Sequence, residues 1–83
     1  MKMIAEYALA RTTIPLDITD DDGKTHHVPP GTICTVVDVL AGGKGYAVEF
    51  VLEPPVYGPD GDMIEFPLEE IAFLEASGLE PVQ

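Results

Sequence analysis

The stretch Pro30–Val51, PGTICTVVDVLAGGKGYAVEFV, reads as two antiparallel strands joined by a glycine-rich turn, and it decides the fold class. Gly31–Leu40 is dense in Thr, Ile and Val, whose branching at Cβ suits a pleated, half-buried surface. Along it Ile33, Thr35, Val37 and Val39 share one face, and Cys34, Val36, Asp38 and Leu40 share the other. Asp38 marks its face as wet, so Val37 and Val39 are expected to point into the core. Ala41–Gly45 (AGGKG) supplies residues that tolerate positive φ. Tyr46–Leu52 then alternates, with Val48 and Phe50 inward and Glu49 outward.

Upstream, Glu6–Leu16 (EYALARTTIPL) alternates well enough to be a first strand, after a short lead-in over Met1–Ala5. Asp17–Pro30 (DITDDDGKTHHVPP) is expected as a long loop that turns at Asp20–Gly23. Thr25–Val28 returns briefly as a strand before Pro29 and Pro30 stop ladder pairing. Downstream, Glu53–Asp62 is a loop with a turn at Pro59–Asp60–Gly61. Met63–Pro67 is a fourth strand with Ile64 and Phe66 on one face. Pro67–Glu70 reads as a single helical turn led by proline, and Ile71–Glu75 as a short closing strand. The alternative is one helix over Leu68–Ser77, capped by Gly78. Ala76–Gln83 is expected as a tail, which leaves one domain over residues 1–83 with its ordered core at about 6–75.

A chain of 83 residues buries only about 60–65% of the surface that its unfolded form exposes. That allows one core and little room for a deep catalytic cleft. Fifteen acids against four bases give a formal charge of −11. Binding nucleic acid requires Lys and Arg at phosphates, and Lys2, Arg11, Lys24 and Lys44 are scattered, so direct nucleic-acid binding is excluded. Anionic membranes are excluded on the same ground. A basic protein partner fits the charge, and a homo-oligomer is compatible with the composition. The single cysteine, Cys34, has no internal partner and lies in an apolar strand, which suits a reducing cytoplasm. MKMIAEYALA lacks the long apolar run of a signal peptide, and no apolar run reaches the length of a membrane span.

Five short strands, a long first loop, a tight hairpin and a one-turn helix before the last strand resemble a small all-β, five-stranded SH3-like barrel. The hairpin residues narrow the likeness. Gly31, Val36–Val37–Asp38–Val39 and Tyr46–Ala47–Val48–Glu49–Phe50, with Pro59–Asp60–Gly61 and Phe66–Pro67–Leu68–Glu69–Glu70–Ile71, resemble the domain family of unknown function 4926. The resemblance runs from Tyr7 to about Leu74. Cys34 departs from it, standing where many such strands carry a second glycine. What the resemblance implies is a non-enzymatic interaction module, in some cases the antitoxin or immunity half of a toxin pair. Such inhibitors are acidic where their targets, nucleases among them, are basic. The competing expectation is an accessory or structural subunit of a larger assembly.

The candidate partner-binding residues are Asp17, Asp20, Asp21 and Asp22 of the acidic loop, together with Asp38, Glu49 and Glu53. Tyr46 and Tyr57 join them as candidate walls of a groove for a proline-rich segment. No metal site or cofactor is expected. The acids fail the spacing of a calcium loop, and His26 and His27, adjacent on a strand, point to opposite faces. No catalytic residue is expected either. Cys34 sits among apolar neighbours that raise a thiol's pKa, and no nucleophile elbow, phosphate loop or dinucleotide fingerprint is present.

Overall fold

The computed structural model describes residues 3–82. Among them the regular structure is all β apart from one 3₁₀ turn. The strands are β1 (Leu9–Thr12), β2 (Leu16–Thr19), β3 (Thr25–Val28), β4 (Ile33–Leu40), β5 (Gly45–Glu53), β6 (Val56–Tyr57), β7 (Met63–Glu65), β8 (Leu68–Glu75) and β9 (Leu79–Pro81). The 3₁₀ turn, Ala76–Gly78, joins the last two. Five strands form an antiparallel sheet in the order β8-β5-β4-β1-β9, and β2–β3 and β6–β7 form separate hairpins. The edge strands β8 and β9 do not pair, so these strands do not close into a barrel.

Proline and glycine set the corners. The expected first strand, Glu6–Leu16, is divided into β1 and β2, because Pro15 has no N–H to give to a ladder. Thr13 fixes the corner, donating its N–H to the Gly78 carbonyl at 2.9 Å and its hydroxyl to the Ser77 carbonyl at 2.7 Å. Most of the expected loop Asp17–Pro30 is the β2–β3 hairpin, in which Leu16 pairs with Val28 and Thr19 with Thr25. Buried Thr12 then ties β1 to the segment leading into β4: its hydroxyl donates to the Pro29 carbonyl and accepts the Thr32 N–H, both at 3.1 Å.

β4 corrects the expected core assignment. Its register against β5 shifts between Val36 and Asp38, a β-bulge that spends Val37 as an extra residue and reverses the facing parity. Cys34 and Val36 are buried before the bulge, and Val39 packs against the core after it. Val37, expected inward, is only half-buried. On β5, Val48 and Phe50 are buried as alternation predicts.

The C-terminal third differs from the expectation in four places. Leu68–Glu75 is one eight-residue strand paired along β5, in place of a helical turn at Pro67–Glu70 followed by a shorter strand. The 3₁₀ turn falls at Ala76–Gly78 instead, where Gly78 lies against Ile14 and an added Cβ would meet its Cδ1 at 3.3 Å. The expected tail is the closing strand, with Leu79 buried and Arg11 opposite Glu80. The expected strand Met63–Pro67 ends at Glu65, so Phe66, expected to share a strand face with Ile64, lies beyond it, and both are exposed.

Ile4, Ala10, Ile18, Val28, Cys34, Val36, Tyr46, Val48, Phe50 and Leu79 form the core. Ile4 belongs to the segment expected as a lead-in; its N–H donates to the Tyr46 hydroxyl at 3.0 Å. Tyr46 is 1% exposed, so it is a core residue and not the groove wall expected of it. Replacing Tyr46 with Phe keeps the ring and leaves the Ile4 N–H buried without its acceptor. The expected cost is about 1 kcal/mol, seen as a Tm lower by about 4–8 °C and faster exchange of the Ile4 amide. An unchanged Tm and Ile4 exchange rate would contradict this assignment.

Candidate interaction surface

The sheet has a core face and an outer face, and strand pairing fixes which side chains meet on the outer one. One row across the strands runs Leu9, Thr35, Glu49, Ile71. The next runs Asp38, Ala47, Phe73. On the other side of the first, Val51 stands opposite Glu69. Leu9, Val51, Ile71 and Phe73 are exposed, Phe73 at 73%. The face therefore alternates carboxylates with apolar side chains. Two expected residues, Asp38 and Glu49, lie in neighbouring rows of it. Ile71, Phe73 and Glu69 complete it and were not foreseen.

Glu49 and Glu69 stand diagonally across β5 and β8, close enough for their carboxyls to share a hydrogen bond when one is protonated. That bond, then burial, then repulsion from the Glu69 carboxylate raise the Glu49 pKa above its ordinary 4.5. The native chain thus holds this proton to a higher pH than the unfolded chain. Stability from the pair is gained as pH falls through the raised value toward 4.5 and is lost at neutrality. Glu69→Gln is expected to raise Tm at pH 7, by on the order of 2 °C, with the gain shrinking toward pH 4.5. A thermal melt series across that range measures it.

The acidic loop is built differently. Asp20 is a structural residue of the β2–β3 turn. Its Oδ1 accepts the Asp22 N–H at 2.9 Å and the Lys24 N–H at 3.0 Å, and its Oδ2 accepts from His26 Nε2 at 2.8 Å. Its side chain is only 6% exposed, so Asp20 is withdrawn from the partner-facing set. Asp21 and Asp22 stay exposed at the tip, where Gly23 takes φ +83°. Asp17 is exposed beside His27, 2.6 Å from its Nδ1. The two histidines thus have separate carboxylate partners on opposite faces of β3. Among the described residues no cluster of His, Cys, Asp and Glu has the makings of a metal site.

The His26 hydrogen bond, with those from the Lys24 and Asp22 amides, holds the Asp20 carboxyl below its ordinary 3.8, against the opposing effect of burial. A depressed native value means a contribution present above pH 3.8 and lost as pH falls through the lowered one. Acid titration followed at the Asp20 carboxyl is expected to show it protonating below its ordinary 3.8, and Asp20→Asn is expected to flatten the acid limb of the stability curve.

Glu53 lies 3.4 Å from Lys24 Nζ and joins the hairpin to the end of β5; such an exposed pair stabilises little. Between β3 and β5 lies an open groove of about 420 Å³ that includes His26, Val28, Pro29, Phe50 and Leu52. Tyr57 is not part of it. Tyr57 lies on the β6–β7 hairpin, an arm whose Val56, Tyr57, Met63 and Ile64 are exposed, as is Phe66 at its base, at 89%. The tyrosine-walled groove expected from the sequence is therefore not formed. Cys34 is buried beside the Ala10 carbonyl, its Sγ 3.6 Å away, and burial pushes the thiol pKa up to about 11. That is the state of an unreactive core thiol.

Among the described residues no helix is long and apolar enough to cross a membrane. Comparisons of the chain with family models, with curated proteins and with solved structures find no match.

Proposed function

We propose that this chain is a non-enzymatic, acidic interaction module that binds a basic protein. Its most concrete form is the antitoxin or immunity partner of a basic toxin such as a nuclease. The observation that carries the reading is the outer face of β5 and β8. Glu49 and Glu69 crowd each other there among exposed Val51, Ile71 and Phe73. Residues 45–83 contain nine acids and no Lys, Arg or His. Apolar side chains interleaved with unrelieved carboxylates are complementary to a surface that carries apolar contacts between Lys and Arg.

An SH3-like architecture related to the unknown-function family is part of the proposal. The sheet order β8-β5-β4-β1-β9, the hairpin inside the first connection and the 3₁₀ turn before the last strand support it. A cytoplasmic location fits the free buried thiol. The exposed apolar arm favours a second reading, an accessory subunit that seats Tyr57, Ile64 and Phe66 on a larger assembly.

The test is affinity capture from the native host, followed by titration of the recovered partner across a salt series. The expected partner is basic, and its affinity falls at least about tenfold between roughly 0.05 M and 0.5 M NaCl. An affinity unchanged over that range would reject the electrostatic reading.

A further inference from the structure

We propose that β8 is a docking edge, which accepts an extended cationic segment of the partner as a sixth strand. The inference rests on the interaction reading and gives it a geometry. Among the described residues the sheet has two free edges, and they differ. β9 is three residues long and contains Pro81, features that blunt an edge against further pairing. β8 is eight residues long and free of proline, longer than an average strand and with backbone groups unpaired along its outer side.

The side chains of β8 state what an added strand carries. Glu69, Ile71, Phe73 and Glu75 share the exposed face in that order. A strand laid alongside places one residue opposite each. The matching order is basic, apolar, apolar, basic on one face. The two outer positions give Glu69 and Glu75 the cations that they lack among the described residues, with Glu49 next to Glu69 adding to the attraction. A second copy of this chain is a poor occupant, since each copy brings a formal charge of −11 and the same acids to the edge.

The probe is a capped peptide, Lys-Thr-Val-Thr-Val-Thr-Lys, whose order reads the same in both directions. It is titrated into the full isotope-labelled chain. The expected result is slowed amide exchange along Leu68–Glu75 and no binding by the counterpart with Glu in place of Lys. Neighbouring peptide N–H groups face opposite edges of a strand. An analogue N-methylated at every valine and every threonine keeps both lysines but has no N–H on either edge at those positions, so it loses at least about tenfold in affinity whichever way it runs. Undiminished binding by the fully N-methylated analogue overturns the proposal in favour of charge attraction alone. A dimer whose β8 amides are protected before peptide is added overturns it in favour of a second copy. If the native basic partner binds in a salt-dependent manner while the β8 amides exchange as before, strand addition fails and the interaction reading survives. If the peptide adds at β8 and no basic partner is recovered, the edge stands and that reading fails.

Discussion

The extra residue in β4 is the constraint on which the rest of the molecule depends. By strict alternation, Cys34, Val36, Asp38 and Leu40 share one face. Cys34 and Val36 are in the core, so an unbulged strand would turn the Asp38 carboxylate inward behind them. Burying an unpaired carboxylate is among the most costly changes a core can suffer. The register shift between Val36 and Asp38 removes that conflict within one residue. Asp38 returns to the outer face, where its carboxylate accepts the Val39 N–H at 2.9 Å, and Val39 takes the inward place.

The bulge also divides the labour of the strand. Before it, β4 pairs with both β1 and β5; after it, residues 38–40 pair with β5 alone. At the junction Val36 donates its N–H to the Ala8 carbonyl and accepts the Tyr7 N–H at 2.6 Å. Tyr7 makes that bond with φ at +68°, a conformation that costs a non-glycine residue about 1 kcal/mol or more. The turn it makes carries the chain from Ile4, docked on Tyr46, into β1. Local strain at one exposed residue is thus offset by closing the core over its N-terminal side.

Much of this was legible in the sequence, and the misses have physical causes. β4 and β5 could be read because β-branched residues and strict alternation act together there. Tyr46 shares parity with Val48 and Phe50, so its burial was available from the same pattern; the use of aromatic rings as groove walls pointed it to the surface instead, whereas the buried Ile4 amide satisfies its hydroxyl. Ile71–Glu75 was readable as a strand, but the full length of β8 was hidden because Ile71 and Phe73 are exposed on one face while Leu68, Ala72 and Leu74 are half-buried on the other. With apolar residues on both faces, no period of two stands out. The 3₁₀ turn and β9 were hidden for another reason. Leu79 is a single apolar anchor, and only pairing with distant β1 makes a strand of so short a segment. Proximity of Glu49 to Glu69 likewise depends on a register between strands that no local pattern encodes.

The charges show why the outer face is the part of the surface with work left to do. Arg11 lies 3.2 Å from Glu80, bracing β1 against β9, and Lys24 reaches Glu53. Those two cations serve the far edge and the hairpin. Glu49 and Glu69 receive neither, and they stand well within a Debye length of one another, where salt screens them incompletely. The exposed apolar side chains between them gain nothing from water either. The two costs have opposite remedies when taken singly: more charge would improve solvation and worsen repulsion, and more apolar surface would do the reverse. A cationic, partly apolar surface relieves both at once, and among the described residues this chain offers no such surface to itself.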